Sequence, residues 1–144
     1  MTSERKAAFV AGASLGVLLI FVDSFVLRMV GAGAAGVLLI RLWRPASGKA
    51  IPHTEGVRMG IITGLIVGIT RQLLLLLLVI AGVFFDPAPA LMEPPADATL
   101  RAFEQEWGIN YYTFNVLLDV FGGAALAGLG AMLGVRLYET PPDR

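Results

Sequence analysis

Arg71 and Asp119 are full charges inside apolar runs. Arg71 lies in the middle of the stretch between Arg58 and Phe85, and Asp119 lies in the stretch between Ile109 and Leu137. A charge near the centre of a bilayer costs about 2.5–3.5 kcal/mol on insertion scales, so such a residue faces a partner or a water-filled cavity. Counting about 1.5 Å per residue from the outer boundary places Arg71 roughly 20 Å deep and Asp119 roughly 14 Å. An arginine side chain spans that difference. The expectation is an intramembrane ion pair, Arg71–Asp119, with Thr70, Gln72 and Asn115 available to complete hydrogen bonds. Such a pair either locks two helices together or belongs to a gated ion or proton path, and the sequence leaves both readings open.

The other reactive residue types form no constellation. His53 is the one histidine and there are no cysteines. A lone histidine makes no ordinary zinc site, and none lies in an apolar run to ligate haem, so His53 reads as a solvated loop residue. Glu93, Asp97, Glu104 and Glu106 lack the spacing of a calcium loop and read as an acidic surface. Ser14, Ser24 and Ser47 have no G-x-S-x-G context, and there is no P-loop. The run from Gly31 to Gly36 matches a dinucleotide fingerprint in letters only, because it follows no strand and lies inside an apolar helix. The sequence therefore points to no catalytic residue, metal or cofactor. With 11 basic and 11 acidic residues the net charge is zero, which gives no electrostatic case for nucleic acid.

These residues must be positioned by spanning helices. The chain of 144 residues is 56% hydrophobic and 15% charged, where a soluble domain carries about 25% charged residues. We expect an all-α membrane domain, 1–144, of four transmembrane helices at about 7–22, 25–43, 57–85 and 109–137, with an outer loop 86–108. The first two runs as one helix would be about 55 Å long, too long for a hydrocarbon core of about 30 Å. A tight hairpin near Asp23-Ser24 solves this, and Arg28, one turn into the second span, then snorkels outward. No small-x-small cleavage pattern follows the first run, so it reads as an uncleaved helix. A polar connection, Arg44 to Val57, leads to a third span long enough to need tilt, a kink near Arg71-Gln72 or a protruding inner end. Pro87–Pro95 reads as a stiff, partly extended loop. Leu100, Phe103, Trp107 and Tyr111 recur at helical spacing, either as a short amphipathic helix on the membrane surface broken at Gly108 or as the ordinary start of the last span.

Lysine and arginine set the orientation. With the N-terminus inside, Arg5, Lys6, Arg41, Arg44, Lys49, Arg58, Arg136 and Arg144 lie on the inner side, and Arg28 and Arg101 on the outer. That bias puts both termini in the cytoplasm. Trp43 and Tyr138 are expected to anchor the inner interface, and Trp107, Tyr111 and Tyr112 the outer one.

Small residues supply packing faces. Ala8, Gly12 and Gly16 recur every four residues, as do Gly60, Gly64 and Gly68, and each set lets another backbone approach. Internal packing of the bundle and a face kept for another subunit both fit this pattern. A shift of 52 residues places Lys6, Ala8, Gly12 and Gly16 on Arg58, Gly60, Gly64 and Gly68, an echo that would make the halves a parallel repeat if it records a duplication.

The small-residue helix ending in Arg41-Leu42-Trp43-Arg44, the segment Glu55-Gly56-Val57-Arg58-Met59-Gly60 and the last-helix motif Phe121-Gly122-Gly123-Ala124-Ala125 resemble uncharacterised bacterial membrane proteins with four spans and glycine-zipper helices. The resemblance implies a bacterial inner-membrane location and carries no activity. The resulting expectation is a non-catalytic structural or accessory subunit, packing through glycine faces against other membrane subunits or a second copy within the lipid bilayer. The competing expectation is a small oligomeric channel or transporter using Arg71 and Asp119.

Overall fold

A computed structural model describes residues 2–22, 24–47, 50–81 and 98–138, and every regular element among them is helical. Helix α1 spans Ser3–Leu18 and tightens into a 3-10 turn at Leu19–Phe21. Helices α2 (Phe25–Ser47) and α3 (His53–Ile80) follow. After them come α4 (Ala98–Trp107) and α5 (Tyr111–Leu117), then a π-helical turn at Leu118–Gly122 that leads directly into α6 (Gly123–Tyr138). Three stretches are long and apolar enough to cross a membrane: Phe25–Pro45, His53–Leu78 and Thr113–Tyr138. The first expected span, 7–22, corresponds to α1 and its 3-10 turn, a shorter helix than these three.

The element ends follow from local chemistry. Val22 is extended (φ −109°, ψ 107°) after the 3-10 turn, and helix resumes at Phe25; Asp23 itself lies outside the described residues. Helix α2 runs past Trp43 and through Pro45, because a proline in the last turn removes only one helical hydrogen bond. Helix α3 starts a turn earlier than expected. The Gly56 N–H donates to the Pro52 carbonyl at 2.9 Å, and Glu55 in the first turn complements the helix dipole. His53, read from sequence as a loop residue, is therefore the exposed first residue of α3. The proline-rich segment 87–95, together with Glu93 and Asp97, lies outside the described residues.

The two readings of the segment before the last span separate at Gly108. Its φ of +62° is a left-handed conformation, which costs a residue bearing a Cβ about 1–2 kcal/mol and glycine little. The chain breaks there, so α4 is a separate helix and not the first turns of α5.

Helices α2 and α3 each pack on both α1 and α6, and α1 packs along both of them. The glycine lines sit at these crossings. A Cβ added at Gly12 would come within 2.9 Å of the Thr63 carbonyl, and one at Gly16 within 2.9 Å of the Val67 carbonyl. Ala8, on the same line, is buried. Gly60, Gly64 and Gly68 face the last helix instead: added Cβ atoms would meet the Ala127 carbonyl at 2.6 Å, Ala124 Cα at 2.5 Å and Val120 Cα at 2.8 Å. The 52-residue echo thus has no counterpart in packing symmetry. A two-fold repeat would turn the α3 line toward α1, as the α1 line turns toward α3.

Candidate functional site

Asp119 sits in the π-helical turn between α5 and α6. A π turn carries one extra residue, which rotates the helix beyond it by about 100° relative to the helix before it. Such turns concentrate at functional sites. Around this carboxylate the fold gathers side chains or backbone from four segments.

The Arg71 guanidinium donates through Nη1 to Asp119 Oδ2 at 2.8 Å and through Nε to the Leu19 carbonyl at 3.1 Å. Leu19 can accept because it lies at the end of the first helix, where carbonyls lack helical partners. The same carbonyl also takes the Val22 N–H at 3.3 Å, using both lone pairs. Gln72 Nε2 donates to Asp119 Oδ2 at 3.3 Å. On the other side, Arg28 Nε stands 3.2 Å from Asp119 Oδ1, an ion-pair distance without the angle of a directed hydrogen bond. The Arg28 guanidinium also lies 5.8 Å from the centroid of the Phe25 ring, within cation–π range. Side-chain exposure is 14% for Arg28, 10% for Arg71 and 7% for Asp119, so all three are largely withdrawn from solvent.

Burying charges is favourable only with close geometry and further hydrogen bonds on the remaining lone pairs and protons. This cluster meets both conditions at Asp119 Oδ2, whereas Oδ1 has the ion-pair contact with Arg28 without a hydrogen bond. Two donors hold Oδ2, and the Arg28 guanidinium faces Oδ1 at ion-pair distance. As arranged, the group is a clasp tying the first helix, α2, α3 and the last helix together at one level.

Arg71, Asp119 and Gln72 meet as a set that depth counting had brought together. Thr70 does not join them; it packs at the crossing with Gly16. Arg28 is a correction. It turns into the bundle toward Asp119 instead of snorkelling outward, because an arginine one turn into α2 is long enough to reach the π turn. The signal was its depth, shared with a carboxylate otherwise served by one cation. The Leu19 carbonyl had no sequence signal, since a backbone acceptor exists wherever a helix ends.

The aromatic anchors divide. Trp107 is 64% exposed. Trp43 is 4% exposed, its ring packed inside the bundle in a core cluster with Ala8, Ala11, Ile40 and Met59. The alanines of α1 leave room for a large ring there, and burial of its apolar body outweighs interfacial exposure. Tyr138 is partly buried against the same cluster. The side chains of Tyr111 and Tyr112 lie outside the described residues. Compared with protein-family models, curated proteins and solved structures, the chain matches none.

Proposed function

We propose that this chain is a non-catalytic integral membrane protein with four spans, a small structural or accessory subunit of the bacterial inner membrane with both termini cytoplasmic. The observation that supports this reading is the clasp: the charges at membrane depth are engaged with one another across all four helical segments. The first helix serves as the fourth span. Its 16 α-helical and 3 3-10 residues reach roughly 28 Å, close to the hydrocarbon thickness, and Phe9, Val10, Val17, Leu18 and Phe21 face outward. The glycine lines are filled from within the chain, so a partner subunit or second copy docks on the outward aliphatic surface. One such surface is the groove between α2 and α6 lined by Val26, Val30, Leu126, Leu129 and Leu133.

The test is gentle extraction at native abundance followed by mass measurement of the intact complex. A reproducible foreign subunit supports the accessory role. A lone chain with no partner across several extraction conditions overturns it.

A channel or transporter is the second reading, and the π turn at Asp119 favours it, since a locally widened helix can rearrange without breaking the span. Ion or proton flux in liposomes that vanishes on Asp119→Asn would establish it. Equal leakage from wild type and variant over a wide pH and voltage range would remove it.

A further inference from the structure

We propose that the groove between α1 and α3, at the end of the bundle carrying the N-terminus, binds a zwitterionic phospholipid with a primary ammonium headgroup, the phosphatidylethanolamine class. The inference rests on the membrane-spanning reading above. The groove encloses about 370 Å³. Its mouth is formed by Glu4 and Arg5 from α1 and Glu55 and Arg58 from α3, and its trough by Phe9, Ile62 and Ile66.

Spacing makes this an amphiphile's shape. Arg58, Ile62 and Ile66 follow at four-residue intervals along one face of α3, and Arg5 and Phe9 do the same on α1. From Arg58 to Ile66 the helix rises about 12 Å, which lies within one leaflet of a core about 30 Å thick. A charged mouth at headgroup level therefore opens into an apolar trough about one leaflet deep. Trp43 and Met59 also line the groove, and both are buried, so this part of its wall is preformed. Phe9 and Ile62 are 56% and 37% exposed, an open flank on which an acyl chain can lie.

The charges select the headgroup. Two arginines and two glutamates sum to zero, and among the described residues no ion pair joins Arg5, Arg58 or Glu55. Guanidinium groups suit phosphate oxygens, in pairs of parallel hydrogen bonds. Carboxylates beside them accept the N–H groups of an ammonium and repel a second negative charge. A choline headgroup has no N–H to donate, and a glycerol headgroup leaves the lipid anionic. Arginines serving only as inner-side anchors would favour anionic lipid instead.

The experiment is native mass spectrometry of the full chain in detergent, offered equal amounts of phosphatidylethanolamine, phosphatidylcholine and phosphatidylglycerol with identical acyl chains. The ethanolamine lipid should be retained preferentially. Arg5→Gln with Arg58→Gln should lower its retention by at least about tenfold, the change expected from losing even one charge-assisted hydrogen bond. Glu55→Gln should narrow its advantage over the choline lipid. Both variants alter exposed side chains, and a single symmetric peak in size exclusion verifies their fold. Preference for phosphatidylglycerol, equal retention of all three, or no effect of the arginine substitutions overturns the site. A chain that an alkaline wash releases from membranes overturns the spanning reading itself. A chain that stays in the membrane and shows no lipid preference overturns the lipid site alone.

Discussion

At the scale of single residues, Asp119 is the position on which most depends, because two guanidinium groups and an amide converge on it. Asp119→Asn would leave Arg28 and Arg71 buried against a neutral group, and removing one member of a buried ion pair costs about 3–5 kcal/mol. Unfolding of the purified protein by denaturing detergent should register a loss of that size. Arg28→Gln should cost less than Arg71→Gln. Arg28 is the more exposed of the two and makes no directed bond to Asp119, whereas Arg71 also holds the Leu19 carbonyl. In double-mutant cycles the coupling of Arg71 to Asp119 should exceed that of Arg28 to Asp119. Additive effects of Arg71→Gln and Asp119→Asn would show that the 2.8 Å contact contributes nothing to stability.

At the scale of elements, the tightest crossing lies between α2 and α6, and it separates two glycines that look alike in sequence. A Cβ at Gly36 would collide with the Ala127 carbonyl and stand 2.5 Å from the Ala131 nitrogen. At Gly33, three residues earlier, the nearest atom to an added Cβ is the Leu126 carbonyl oxygen at 3.8 Å. Gly36→Ala should therefore destabilise the bundle by about 1–3 kcal/mol through overpacking. Gly33→Ala should be neutral or stabilising by up to about 1 kcal/mol, since alanine is the better helix former. The same unfolding measurement on both variants checks this, and equal losses would mean that α2 and α6 do not cross here. Gly64→Ala should behave like Gly36→Ala, because its Cβ would press on the backbone of the last helix.

For the whole molecule, the testable property is its passage through the membrane. The chain lacks cysteine, so single engineered thiols report without background. In the proposed topology, with both termini cytoplasmic, Thr2→Cys should react with a membrane-impermeant maleimide only after the cells are opened. Gln105→Cys, on the exposed face of α4, should react in cells whose outer membrane alone has been made permeable. Both thiols labelled from the same side would require an even number of crossings between them, or none, and would overturn the four-span arrangement.

Apolar runs and their polar interruptions determined by themselves that the chain is helical, with helices of membrane-spanning length, and roughly where each begins. Backbone hydrogen-bonding groups have no water to turn to in lipid, so long apolar segments must satisfy them within a helix. Depth counting was likewise enough to set Arg71 opposite Asp119. Tertiary structure alone decided the rotation of each helix about its axis. Rotation sends Arg28 inward, buries Trp43 and turns one glycine line toward α1's neighbour α3 and the other toward the last helix. It depends on which small residues let two backbones touch, and on the extra residue of the π turn at Asp119. Both are properties of paired surfaces, and a single apolar segment rich in glycine looks much the same on every face.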